Sequence, residues 1–328
     1  MDRRRFLNIT AGGAVATGLP AAAPAQTARY PARPIKVMVP WPVGGNADVT
    51  IRPILEKMSQ QMGSPIVVEN RAGATGTTGT AIAARAAADG YNLLQLSSST
   101  VFNIILSPEK ANFDLQRDFA PIGLAASTPL VLEVHPSVPA ATLQELIAYA
   151  KANPGKMTYA SGGVGTSAHL LAELMKLRAG LDITHVPYQG GAPAVADLMG
   201  GHVNMYFDVL PTALPAVRSG RVRILGITSA RRSPSLPDVP TFAELGLPEI
   251  EASVWVAMLA PKSTDAAIVE QLNQQMNRAL ADPQVRQQLT TIGAEPMPGT
   301  PAALASFIKA ETDKWADVVR RARIKADS

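Results

Sequence analysis

Thr158-Tyr159-Ala160-Ser161-Gly162-Gly163-Val164-Gly165-Thr166-Ser167-Ala168-His169 is the stretch that decides the fold of this chain. A β-like run enters it, three glycines and four serine or threonine residues form it, and an amphipathic helix over 168–178 leaves it. Glycine lets main-chain N–H groups turn towards a ligand without interference from a Cβ atom. A helix N-terminus adds free N–H donors and partial positive charge. Strand, glycine loop and helix in that order make a cradle for an anion. A second stretch of the same design comes earlier, Val37-Met38-Val39-Pro40-Trp41-Pro42-Val43-Gly44-Gly45-Asn46-Ala47-Asp48. Two such half-sites in two halves of one chain predict a ligand gripped between lobes.

Outward from these loops, short apolar runs alternate with helical periods, the mark of a parallel or mixed α/β sheet. Strands are predicted over 35–40, 66–69, 91–96, 119–126, 129–134, 157–160, 183–187, 203–207, 222–228 and 251–259. Helices are predicted over 47–62, 142–153, 168–178, 191–199, 211–218, 265–281, 283–292 and 301–323, with a Gly/Ala-rich turn and helix over 75–87. Thr142 with Glu145 has the spacing of a capping box, and Thr300 stands as N-cap before a proline at the first helical position. The 91–96 strand delivers the hydroxyl cluster Ser97-Ser98-Ser99-Thr100. The terminal helices need a sheet to cover, and the first one is nearest. The expected division is therefore lobe one from 30–126 plus 252–328 and lobe two from 127–251.

With 328 residues the chain exceeds one ordinary core and suffices for two α/β lobes. Hydrophobic residues at 47% and charged residues at 17% exclude a disordered chain. Residues 1–25 read as an export signal: Arg3-Arg4-Arg5 as basic head, a Gly/Ala-rich apolar stretch, and Ala23-Pro24-Ala25 as cleavage site. The head resembles a twin-arginine signal, with an ordinary Sec signal as the alternative. That segment holds three arginines and one aspartate, so it supplies +2 of the net +4. The small remainder, without a Lys/Arg cluster, leaves no nucleic-acid footprint. Absence of cysteine excludes disulfides, thiol catalysis and Cys-type metal sites.

Several motifs taken together carry a resemblance: Tyr30-Pro31-Ala32-Arg33-Pro34-Ile35, the 42–48 glycine turn, Val68-Glu69-Asn70-Arg71-Ala72-Gly73, Gly165-Thr166-Ser167-Ala168-His169, His185-Val186-Pro187-Tyr188-Gln189-Gly190-Gly191-Ala192-Pro193 and Phe207-Asp208. In that order and spacing they resemble the Bug (Bordetella uptake gene) family, the extracytoplasmic solute-binding components of tripartite tricarboxylate transporters. The resemblance implies a type II periplasmic-binding-protein fold, two α/β lobes joined by two crossovers. It also implies a monomeric periplasmic receptor, not an enzyme, that needs no cofactor. Such a receptor would hold a small-molecule carboxylate and hand it to membrane transporter subunits. Carried over residue by residue, it marks Pro42, Gly44, Gly45, Ser98, Ser99, Gly163, Gly165, Thr166, Ser167 and Asp208 for the ligand. Asn46-Ala47 and Val209 depart from the usual family pattern.

Val43, Asn46 and Val164 join the candidates as members of the two loops. Asp208, just past a strand, could receive a ligand's ammonium or hydroxyl group or cap the helix at Pro211. His169 could bond the loop or the ligand, and Trp255 could wall the cleft or act at its hinge. Residues 163–168 also fit the dinucleotide fingerprint G-x-G-x-x-A, but the next strand, over 183–187, ends without the acidic residue that would hold a ribose. A periplasmic hydrolase built on Ser161 or Ser167 with His169, or a ligand-sensing subunit, remains the alternative.

Overall fold

The computed structural model describes residues 30–325; the export segment expected over 1–25 lies outside them. Among the described residues, the strands are β1 (Ile35–Val39), β2 (Ile66–Asn70), β3 (Asn92–Ser97), β4 (Phe119–Val134), β5 (Met157–Ser161), β6 (Ile183–Pro187), β7 (Met205–Val209), β8 (Arg223–Ile227), β9 (Ser253–Pro261) and β10 (Glu295–Pro296). They run in the order β2-β1-β3-β9-β4-β7-β5-β6, with β8 and β10 as further partners of β4. Parallel pairing joins β2, β1 and β3, and again β6, β5 and β7. No helix is long and apolar enough to cross a membrane among these residues.

The array is continuous because β4 is one strand where two were expected. It lies antiparallel to β9 from Phe119 to Pro129, then antiparallel to β7 and β8 as far as Val134. Pro129 brings no N–H to a ladder, which made a break there the natural reading. The strand continues because Thr228 serves the next residue: its Oγ1 accepts the Leu130 N–H at 2.9 Å and donates to the Ala252 carbonyl at 2.6 Å.

Local signals hold at the helix ends. Thr142 and Glu145 form the reciprocal capping box, and Thr300 Oγ1 accepts the Ala303 N–H at 3.1 Å. In the Asn46–Met62 helix, Ile51, Ile54, Leu55 and Met58 face the core at the expected spacing. One helix was not foreseen. Ser98–Leu106 begins inside the hydroxyl cluster, with Ser97 at the N-cap position and Val101 and Phe102 turned inward.

The terminal helices pack into more than one core. Ala266–Ala281 and Pro283–Thr291 pack Leu272, Met276 and Leu289 into one core with Ile35, Val37 and Ile51. The last helix, Pro301–Ala322, belongs to both halves. Leu304 and Ile308 join Leu94, Leu96 and Trp255, while Trp315 and Val318 join Tyr159, Leu170 and Phe207. At its middle, Glu311 Oε2 accepts from Trp255 Nε1 at 3.0 Å and from Trp315 Nε1 at 3.2 Å. One carboxylate oxygen thus ties a strand of the first half to an indole seated in the second.

Replacing Glu311 by leucine strips two buried indoles of their acceptor, at about 1–3 kcal/mol for each orphaned donor. Urea unfolding is expected to show Glu311→Leu destabilised by roughly 2–4 kcal/mol, and Glu311→Gln, which keeps an acceptor, by less.

Candidate ligand-binding site

Strands β7, β5 and β6 lie side by side, and each runs at its C-terminal end into a helix: Leu210–Arg218, Ser167–Ala179 and Gly191–Met199 respectively. The C-terminal edge of parallel strands is where open α/β sheets receive ligands. A cleft of about 550 Å³ opens there. Gly162, Thr166, Ser167 and Ala168 line it beyond β5, Gly190, Gly191 and Ala192 beyond β6, and Asp208 and Val209 at the end of β7 with Thr212 beyond it. Ser99, Leu130 and Val254 face it from the crossover strands and the helix after β3.

None of these three helices carries a side-chain cap. At the helix after β5, the N-cap residue Thr166 turns its hydroxyl back to donate to the Gly163 carbonyl at 2.8 Å. The first-turn N–H groups, which have no partner within their own helix, therefore stay uncapped beside the cleft at Ser167 and Ala168. The loop before them needs glycine: Gly163 and Gly165 sit at φ 122° and 78°. A Cβ at Gly165 would come within 2.3 Å of Leu106 Cδ1.

The loop is held from behind by a buried polar seat. Ser161 Oγ accepts the Gly163 N–H at 3.1 Å and meets His185 Nε2 at 2.6 Å. His169 Nδ1 accepts the Gly165 N–H at 3.0 Å, so that nitrogen carries no proton. Burial pushes the His169 pKa down to about 4, helped by the Lys176 charge, and the ring is neutral at ordinary pH. It stacks on His185 with ring centres 4.1 Å apart, and His185 stacks in turn on Tyr159 at 4.8 Å. Tyr159 donates its hydroxyl to Glu173 Oε1 at 2.5 Å. His169 therefore serves the loop, not the cleft wall.

Asp208 stands at the cleft with 4% of its surface exposed. Its Oδ1 accepts the Val209 N–H at 2.8 Å, while its Oδ2 has no hydrogen-bond partner. It does not cap the following helix. The Thr212 hydroxyl, close by, donates to the Val209 carbonyl at 3.0 Å. Burial pushes the Asp208 pKa up to about 6. Glu133, opposite Tyr206 in the β4–β7 ladder, is wholly buried with both carboxyl oxygens unpartnered. Burial and then the Asp208 charge push it to about 8, so it holds its proton at pH 7.

Of the residues expected at the ligand, Ser99, Thr166, Ser167 and Asp208 line the cleft, and Gly163 and Gly165 shape the loop beside it. Val164 lines a separate small pocket against Thr75, Asn103 and Leu106. The first glycine turn is not brought to the cleft wall: Pro42, Val43, Gly44 and Asn46 are exposed and Gly45 is half-buried. Its donors are consumed locally, Gly44 N–H by Asp48 Oδ2 at 2.9 Å and Gly45 N–H by the Pro42 carbonyl at 3.2 Å. Burial works to raise the Asp48 pKa, but hydrogen bonds from Arg52, Asn70 and Gly44 outweigh it and hold the carboxylate below its ordinary range. Ser98 is buried, its Oγ accepting the Trp255 N–H at 3.4 Å. Trp255 needs correction as a cleft residue: it is fully buried against Phe307, and its neighbour Val254 reaches the cleft. Strand alternation sends adjacent side chains to opposite faces. Gly190, Gly191, Tyr206 and Thr212 were missed, although Gly190-Gly191 repeats the strand–glycine–helix design of the other two loops.

Residues 50–324 match the family described as tripartite tricarboxylate transporter family receptor. Protein BugT of Bordetella pertussis is 43% identical over 305 residues, covering 93% of this chain and 94% of BugT. An R. palustris protein solved with adipate is 33% identical, with a TM-score of 0.76 over 90% of this chain and 99% of its own. MatC from Rhodopseudomonas palustris with bound malate is 34% identical, with a TM-score of 0.72 over 88% of this chain and 100% of its own. The curled α/β sheet is that of the periplasmic solute-binding proteins, the fold class expected from the sequence.

The raised Glu133 pKa fixes a sign for stability. The folded state binds more protons than the unfolded chain between the ordinary value of 4.5 and about 8, so this group lowers stability as pH rises through that window. Glu133→Gln removes the effect. Unfolding free energies from urea titrations should diverge from pH 5 to pH 8 in favour of the variant, by on the order of a few kcal/mol at the upper end.

Proposed function

The chain belongs to the tripartite tricarboxylate transporter receptor family, and on that premise we propose that it captures a small carboxylate-bearing molecule in the periplasm and delivers it to the membrane subunits of such a transporter. The observation that carries this reading is the cleft at which three uncapped helix N-termini meet. A carboxylate there takes main-chain N–H groups at Ser167 and Ala168 and the hydroxyl of Ser167. Such charge-assisted bonds are strong in a site shielded from water. The relatives solved with adipate and malate fit the same chemistry.

The basic head and small-residue cleavage site over residues 1–25 support export, by the twin-arginine or the Sec route. Lobes of 30–126 with 252–328 and of 127–251 would flex where β4 passes from β9 to β7. The first glycine turn, exposed at 42–46, would reach the ligand only on such closure. One observation would suit an enzyme: Ser161 Oγ lies 2.6 Å from His185 Nε2, the pairing of an activated nucleophile. Ser161 is fully buried and bound to its own loop, which suits a seat for the loop better than a nucleophile.

Mature protein unfolded and refolded to strip carried-over ligand is to be screened by thermal shift against mono-, di- and tricarboxylates. A ligand at about 100 times its Kd adds about 2.7 kcal/mol, enough to raise the midpoint by a few degrees. Gly165→Val, which meets both a positive φ and Leu106, is expected to abolish the rise, while Ser161→Ala, which loosens the seat of the loop, should reduce it without abolishing it. A flat response of the refolded chain to every carboxylate overturns the proposal.

A further inference from the structure

We propose that Val164 is a positioning residue and not a ligand contact: it seats the tip of the glycine loop in a socket built by the segments after β2 and β3, and this seating governs how long the cleft holds its ligand. This rests on the receptor reading above and deepens it.

Val164 stands in the middle of the loop, half-buried, yet it borders a pocket of about 240 Å³ outside the cleft. The facing walls include Thr75 and Thr77 beyond β2, and Asn103 and Leu106 in the helix after β3. Gly165, the next residue, leaves room for Leu106: a Cβ there would fall 2.3 Å from Leu106 Cδ1. Leu106 therefore rides on the backbone of the loop while Val164 borders the pocket beside it.

The socket is stiff. Ala74 and Thr75 both lie in the left-handed region, at φ 44° and 50°, a costly conformation for residues with a Cβ and above all for a β-branched one. Asn103 Nδ2 and Thr77 Oγ1 both donate to the Ala74 carbonyl, at 3.0 and 2.8 Å, and tie that turn to the helix. The helix is anchored twice in its turn. Val101 packs with Leu94, Leu96 and Trp255, and Phe102 meets Trp315 edge-on with ring centres 5.3 Å apart. Backbone strain of this kind persists where the surroundings fix it, and it collects at clamps and switches. Here it shapes the wall opposite the loop tip.

The consequence for binding is kinetic. Gly163 and Gly165, on either side of Val164, give their N–H groups to Ser161 and His169, and the uncapped N–H groups at Ser167 and Ala168 follow directly. A tip held in its socket keeps those donors at the cleft, and a tip that swings free withdraws them. Space remains beside Val164, so a larger apolar side chain adds contact without crowding. Opposite effects of a smaller and a larger residue separate a socket from a tightly packed core position, where both changes harm.

Hydrogen–deuterium exchange on the refolded, ligand-free chain reads the seating directly. Val164→Ala and Leu106→Ala should each speed exchange of the main-chain N–H groups at 163–167 about fivefold, and Val164→Leu should slow it about threefold, the effect of one more buried methylene. Val101→Ala weakens the same helix away from the loop and should leave those groups at the wild-type rate. Stopped-flow release of each panel carboxylate that binds, succinate, glutarate and citrate included, should follow the same order, with association rates within about twofold of wild type. Loop exchange unchanged in Val164→Ala, faster in Val164→Leu, or equally fast in Val101→Ala would overturn this inference and leave the receptor reading standing. A wild-type chain that binds no carboxylate would overturn the receptor reading and the kinetic role of Val164 with it, while the exchange rates still decide the socket.

Discussion

An anion leaves water only where fixed donors replace its hydration, and the fixed donors left uncapped at this cleft are main-chain N–H groups. Thr166 occupies the N-cap position of the helix after β5 but spends its hydroxyl on the Gly163 carbonyl. That choice leaves the helix end open at Ser167 and Ala168. Much else nearby follows from keeping the loop in place. Ser161 ties down Gly163, His169 ties down Gly165, and the stacked rings of His169, His185 and Tyr159 make the seat rigid. The burial that keeps His169 neutral also keeps its Nδ1 an acceptor. Two further helices, starting at Gly191 and Leu210, add their ends to the same edge.

The frame that carries this edge depends on two long elements. β4 is shared between the strands on either side, and the hydroxyl of Thr228 carries its hydrogen bonding past Pro129. The Pro301–Ala322 helix crosses from one core to the other and is pinned at Glu311 to an indole of each.

Much of this was legible in the sequence because it is local. The strand–glycine–helix pattern at 157–178, the capping box at Thr142 and the N-cap at Thr300 are each fixed by residues within one or two turns of each other. What the sequence hid was set by distant partners. The join at Pro129 needs Thr228, and the burial of Trp255 needs Glu311 and Phe307. The turn at Gly44-Gly45 looked like the loop at 162–166, but it stands largely exposed and lines no wall of the cleft. Asp208 was visible as a residue beyond a strand; that its Oδ2 is unpartnered, with Glu133 buried nearby, depends on the β4–β7 register.

The most direct test of the account is a crystal structure of the refolded chain with its tightest-binding carboxylate. The account predicts carboxylate oxygens within hydrogen-bond reach of the main-chain nitrogens at Ser167 or Ala168 and of the Ser167 hydroxyl, with no lysine or arginine on that group. A carboxylate held by a basic side chain, or seated away from the C-terminal edge of β5, β6 and β7, would contradict it.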